Sequence, residues 1–115
     1  AALIAAACAS SGPPVSPTLV TESEAAVRRA EAAGAGQMAP DLMAKARRAW
    51  DEGRAASSRG EGTVATRWFE EAREYARAAE MRATAEKTRG DAAALKQQAD
   101  ELEARTRQMR AAPTP

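Results

Sequence analysis

Histidine is absent from the 115 residues, cysteine occurs once, and the aromatic side chains are Trp50, Trp68, Phe69 and Tyr75 alone. Each shortage excludes a class of function. Without histidine the commonest general base is missing, and so is the commonest zinc ligand. A single cysteine rules out an internal disulfide and, with no histidine beside it, any Cys/His metal constellation. Carboxylates are plentiful, but they recur at helical spacing from arginine or lysine: Glu24 with Arg28, Asp41 with Lys45, Glu101 with Arg105, Glu103 with Arg107. Such pairs support a solvated helix face and do not make a cleft. The expectation is therefore no enzyme, with no catalytic residue, no cofactor-binding residue and no metal ligand. Neither sign of charge prevails, with 17 basic residues interspersed among 16 acidic ones. Phosphate backbones are held by an unbalanced basic face, so nucleic acid is not an expected partner. No apolar run is long enough to cross a bilayer as a helix.

What is present is alanine and charge. Of the 115 residues, 32 are alanine, the residue with the highest helix propensity. The 44% hydrophobic content is thus mostly methyl groups, and large apolar side chains after Cys8 are few. A core this thin suits helices in close contact and leaves little room for a deep pocket, so no small-molecule substrate is expected. The expected fold class is all-α: a helical hairpin or three-helix unit with a long C-terminal helix.

The chain opens on "AALIAAAC" and continues "ASSGPPVSPT". Cys8 is open to three readings: a small buried hydrophobe, a free thiol pairing between chains, or an acylation site. Small residues at Ala5, Ala6 and Ala7, with Leu3 and Ile4 upstream, have the pattern that ends the apolar region of an export signal. The stretch after Cys8 is rich in proline, glycine and serine and reads as a flexible tether. This opening resembles the lipobox of bacterial lipoproteins. The resemblance implies a covalent lipid on Cys8 and no other cofactor, and Ala9 after the cysteine implies the outer membrane, periplasmic face. Residues 1–7 are then an export-signal remnant and 8–20 the lipidated cysteine with its tether.

Farther on, "TESE" at Thr21 to Glu24 fits a capping box and predicts a helix start at Thr21. Gly34, Gly36 and Pro40 predict its end. A second helix is predicted from Pro40 or Asp41, with Leu42, Ala46, Ala49, Trp50 and Gly53 at 3.6-residue spacing, fraying at "SSRGEGT". A third begins near Thr63, its apolar stripe running Ala65, Trp68, Ala72, Tyr75, Ala79, with Phe69 and Ala76 beside it. From Ala78 a heptad seam follows: Ala78, Met81, Ala85, Thr88, Ala92, Leu95, Ala99, Leu102, Thr106, Met109. Gly90 suggests a hinge within it. An unbroken helix from Thr63 to Arg110 would be ~70 Å long, so its C-terminal part must project, fold back or associate. The helical domain is placed at 21–89, the extension at 90–110 and a disordered tail at 111–115.

Gly53, Gly60, Ala65, Phe69 and Ala72 resemble, in residue and spacing, the small and aromatic positions of one tetratricopeptide repeat. The resemblance implies a helix crossing built on these five residues. No second copy follows, so the stacked peptide groove of repeat arrays is not implied. The wider pattern, a lipobox, a proline-rich tether, "AEAAGAGQMAPDLMAKA" and then the glycine turn and alanine-rich helix, is similar over roughly residues 8 to 105 to an uncharacterised family of bacterial lipoproteins, its sharpest part being "AGAGQMAP" with Leu42 after it. Its members carry an alanine-rich helical domain, often ahead of an OmpA-like peptidoglycan-binding domain. Only the helical part corresponds to these residues, so peptidoglycan binding is not carried over.

The function expected is an outer-membrane lipoprotein acting as a periplasm-facing adaptor or accessory subunit of an envelope assembly. Its partners are the membrane, through the lipid, and an envelope protein or a second copy. The alternative is a structural coiled-coil lipoprotein that self-associates through the seam; a peptide- or ligand-binding hairpin is a third class. Trp50, Trp68 and Tyr75 are assigned to the core, while Phe69, Leu95 and Leu102 are the predicted partner contacts.

Overall fold

A computed structural model describes residues 12–113. Its elements are α1 (Pro17–Ala32), α2 (Ala35–Met38), α3 (Pro40–Ser58) and α4 (Gly62–Ala111). The class is all-α, with no strand among the described residues. The chain divides into two compact units, Ala1–Ala83 and Thr84–Pro115.

In the first unit, α1 begins four residues before the predicted Thr21. Proline at the first helical position has its ring angle pre-set and no N–H to leave unpaired, and Ser16 precedes Pro17 in an extended conformation. The capping box does not form; the Thr21 hydroxyl, inside the helix, donates to the Pro17 carbonyl at 3.0 Å. The reason is burial: Val15, Leu19 and Val20 pack against the cluster of Ala56, Ala65 and Phe69, and that gain carries the helix past the local cap. The tether predicted over 8–20 is therefore shortened, because residues 15–20 belong to the folded unit. Residues 8–11 lie outside the described residues.

Gly34, at φ +84°, ends α1 in the left-handed region. The stretch read as a plain loop then makes one further turn, α2, which buries Ala35 and leaves Ala39 only 1% exposed before Pro40 opens α3. At the other end of α3, Gly60 N–H donates to Ser57 and Glu61 N–H to Ala56. These bonds close a Schellman turn around the left-handed Gly60 (φ +74°).

The core is as thin as the composition implies. One cluster joins Ala26, Val27, Ala30, Ala35, Ala39, Met43, Ala46, Ala76, Ala79 and Ala83; the other is built on Phe69. The buried stripe of α4 runs through Ala65, Phe69, Ala72, Ala76, Ala79 and Ala83. It is rotated by one residue from the predicted stripe, so that Trp68 and Tyr75 flank it half-buried. On α3, likewise, Met43 rather than Leu42 is fully buried.

Ser23, fully buried, is a core residue that its polar surroundings concealed. Its hydroxyl lies 2.8 Å from the Leu19 carbonyl and 2.7 Å from that of Phe69, so it bonds across from α1 to α4. Ser23→Ala is expected to lower stability by about 1 kcal/mol, the net worth of one such bond, as a shift in urea midpoint at unchanged slope.

In the second unit, α4 stays helical through Gly90, and the predicted hinge there is absent. Every described residue from Thr84 to Pro113 is exposed.

Candidate functional site

The five residues predicted to form a helix crossing separate into two roles. Gly53, Ala65, Phe69 and Ala72 are buried together between α3 and α4. A Cβ on Gly53 would stand 3.0 Å from two ring carbons of Phe69, so the missing side chain is what admits the ring. Trp50, one turn earlier on α3, meets the same ring edge-on at 5.1 Å between ring centroids. Gly60 takes no part in the crossing: nothing lies within 4 Å of an added Cβ there, and its role is the turn. Phe69, predicted as an exposed partner contact, is 1% exposed. Trp68 and Phe69 both satisfy the helical period; the gap left by Gly53 fits the smaller ring, which corrects that assignment.

A concave surface of about 540 Å³ in the first unit is lined by Gly12, Pro13, Pro14, Val15, Ser57, Gly60 and Gly62, none of which carries an ionisable side chain. Pro13 packs so closely on Gly62 that a Cβ there would collide with its carbonyl oxygen, and Gly12 meets Thr63 in the same way. Beside this turn the Arg59 guanidinium donates two hydrogen bonds to Glu61, at 2.9 and 3.2 Å. Those bonds hold the Glu61 carboxyl below its ordinary value and raise Arg59; both side chains face solvent and the pair braces the turn. A shallower groove of about 260 Å³ lies between Lys45, Arg48, Ala49, Trp68, Glu71 and Tyr75, where Lys45 sits 5.6 Å above the Tyr75 ring instead of pairing with Asp41. Among the described residues, no group of three or more His, Cys, Asp or Glu side chains is placed to hold a metal ion. None of the helices described is long and apolar enough to cross a membrane.

Among the described residues six large apolar side chains are exposed; Met38 and Val64 lie outside the heptad seam, and the four most exposed lie on it. Leu95 (66% exposed), Leu102 (60%), Met81 (72%) and Met109 (72%) are all members of the heptad seam, and its remaining positions, Ala78, Ala85, Thr88, Ala92, Ala99 and Thr106, are exposed as well. Around them the charges bond along the helix: Arg89 with Glu86 at 2.7 Å, Lys96 with Asp100 at 3.4 Å and Arg107 with Glu103 at 3.5 Å. Glu101 accepts from Gln97 at 3.3 Å in place of the pairing predicted with Arg105.

Residues 18–95 match the family described as a domain of unknown function, DUF4398. The chain belongs to this family. No curated protein and no solved structure gives a match. The DUF4398 match takes in nearly all of α1, the whole of α2 and α3, and α4 as far as Leu95. Leu102, Thr106 and Met109 lie beyond it, so the seam runs out of the DUF4398 region. Cys8 lies both before the match and outside the described residues.

Proposed function

We propose that the protein is a non-catalytic adaptor: a lipoprotein held by an acylated Cys8 at the periplasmic face of the outer membrane, presenting one face of α4 for docking. The observation that carries this reading is the seam. Four large apolar side chains recur at heptad positions and stay open to water, while the first unit buries two small clusters of its own, one rich in alanine and one built on Phe69. Exposed apolar side chains in register on one helix mark an interaction surface. The anchor is supported by the apolar and small residues leading to Cys8. An acylated N-terminus bearing several chains binds a bilayer durably, which suits a fixed scaffold.

Cell fractionation tests the anchor. The unmutated protein is expected in the outer-membrane fraction, its mature form beginning at an acylated Cys8 by intact mass. Cys8→Ser is expected to move the protein to the soluble fraction with its helical circular dichroism retained. Retention of the Cys8→Ser protein in the membrane fraction would overturn the anchor.

A further inference from the structure

We infer that the face docking on the seam is the same face of a second copy of this chain, running antiparallel, with the two-fold axis at the level of Gln97. The inference builds on the reading of the seam as a docking surface and is independent of the lipid.

Three features point to this occupant. The first is the alternation of size along the exposed face. From Ala85 to Met109 the seam reads Ala, Thr, Ala, Leu, Ala, Leu, Thr, Met, with the small residues at one heptad position and most of the large ones at the other. In a parallel pair each position meets its own kind, so alanine faces alanine and leucine faces leucine, leaving gaps and crowding in alternate layers. In an antiparallel pair the two positions face each other, and layers of small against large interdigitate.

The second feature is register. With the axis at Gln97, Ala85 meets Met109 of the second copy, Ala92 meets Leu102 and Leu95 meets Ala99. The one remaining polar pair, Thr88 and Thr106, then meet each other, hydroxyl to hydroxyl. Every seam residue of the second unit is used once.

The third feature is charge. The positions flanking an antiparallel seam face their own kind across it. In this register Arg89 faces Glu103 of the second copy and Asp91 faces Arg105. By symmetry each of these attractive pairs occurs twice. Against these, Arg82 faces Arg110, also twice, and Lys96 meets its own copy across the axis, where each Lys96 ammonium already lies 3.4 Å from the Asp100 of its own helix; within the second unit the attractive pairs prevail. Sliding the pair one heptad toward the N-terminus sets Arg89 against Lys96. A parallel in-register pair sets Arg77 against Arg82 and Arg105 against Arg110, with Asp91 against Lys96 as its one attractive pair. The intrahelical bonds of Arg89 and Glu103 are exposed pairs worth tenths of a kcal/mol and are easily exchanged.

Of the eight seam residues from Ala85 to Met109, three are alanine and two threonine; these bury little, so the association is weak and depends on concentration. Sedimentation equilibrium of the full chain carrying Cys8→Ser is expected to give a mass rising with concentration from 12.1 kDa toward twice that value and no further. Leu95→Asp with Leu102→Asp is expected to remain monomeric. Its helical signal and the unfolding midpoint of the first unit should be unchanged, since both side chains are already exposed. Asp91→Arg turns two attractive pairs into two repulsive ones and should weaken association roughly tenfold; adding Arg105→Asp should restore it. Orientation is read by oxidising a mixture of two Cys8→Ser chains, one carrying Leu95→Cys and the other Ala99→Cys. The expected product is the mixed disulfide. A homodisulfide of the Leu95→Cys chain would show parallel pairing and overturn the inference, as would a trimer or failure of Arg105→Asp to rescue. A chain monomeric at every concentration overturns self-pairing while leaving the adaptor reading with a different occupant, and the anchor is judged by fractionation alone.

Discussion

Phe69→Ala is expected to remove about 3–5 kcal/mol of stability, the cost of deleting a fully buried aromatic ring. The loss should fall at the upper end, because the cavity has nothing to fill it. The neighbours on α3 and α4 are Gly53, Ala56, Ala65 and Ala72, and none has side-chain atoms to move inward. The other large groups that touch this cluster, Trp50, Trp68, Leu19 and Val20, are each partly in water, and drawing them in would shift whole helices. A small domain is stable by about 5–15 kcal/mol in all, so one substitution consumes a large part of the total. Urea denaturation followed by circular dichroism measures it, and Trp50, which loses its edge-on partner, should become more exposed to quencher even where the helices persist. A loss below about 1 kcal/mol would mean that the ring is not the centre of its cluster.

Gly53→Ala is expected to destabilise although it improves the helix. Exchanging a mid-helix glycine for alanine favours the helix by about 1 kcal/mol. Against that, the new methyl group stands 3.0, 3.0 and 3.2 Å from three ring carbons of Phe69, and overpacking of a closed core costs about 1–3 kcal/mol. The ring has little room to retreat, because it is fully buried and packed with Ala56 and Ala65. Overpacking wins, with a net loss of about 1–2 kcal/mol. In the Phe69→Leu background the same change should cost less than it does alone, and the double-mutant cycle between the two positions reads that coupling directly. Gly90, helical and with nothing within 4 Å of an added Cβ, has no such opposing effect.

The pairing of Gly53 with Phe69 also shows where the sequence could be read and where it could not. Both residues were legible as partners through the repeat-like spacing, because small-then-aromatic at fixed separation has one physical meaning at a helix crossing. Whether Phe69 pointed in or out was not legible, since Trp68 and Phe69 are adjacent and the helical period tolerates either. The shape of the gap on α3 decided it, and that shape exists only once the helices meet. The start of α1 failed for a related reason. Thr21 and Glu24 carry a valid local signal, but Leu19 and Val20 are buried by residues some fifty positions away, and no window of local sequence contains that fact. Ser23 was invisible because serine among glutamates reads as surface; its partner is the Phe69 carbonyl on another helix. The seam, by contrast, was read in full from spacing alone, because it belongs to a single helix and needs no tertiary partner to define it.

The packing of Pro13 on Gly62 and of Gly12 on Thr63 changes what the stretch after Cys8 can do. Four peptide steps separate Cys8 from Gly12 and span at most ~14 Å. With the proposed lipid on Cys8, that is too short a leash for a domain to tumble on. The Arg59–Glu61 turn would then stay close to the headgroups, and the unit would have an underside and a top. What the molecule can meet is then decided by orientation as much as by surface chemistry. Two copies anchored in this way would share one plane, and their encounters would become a search in two dimensions.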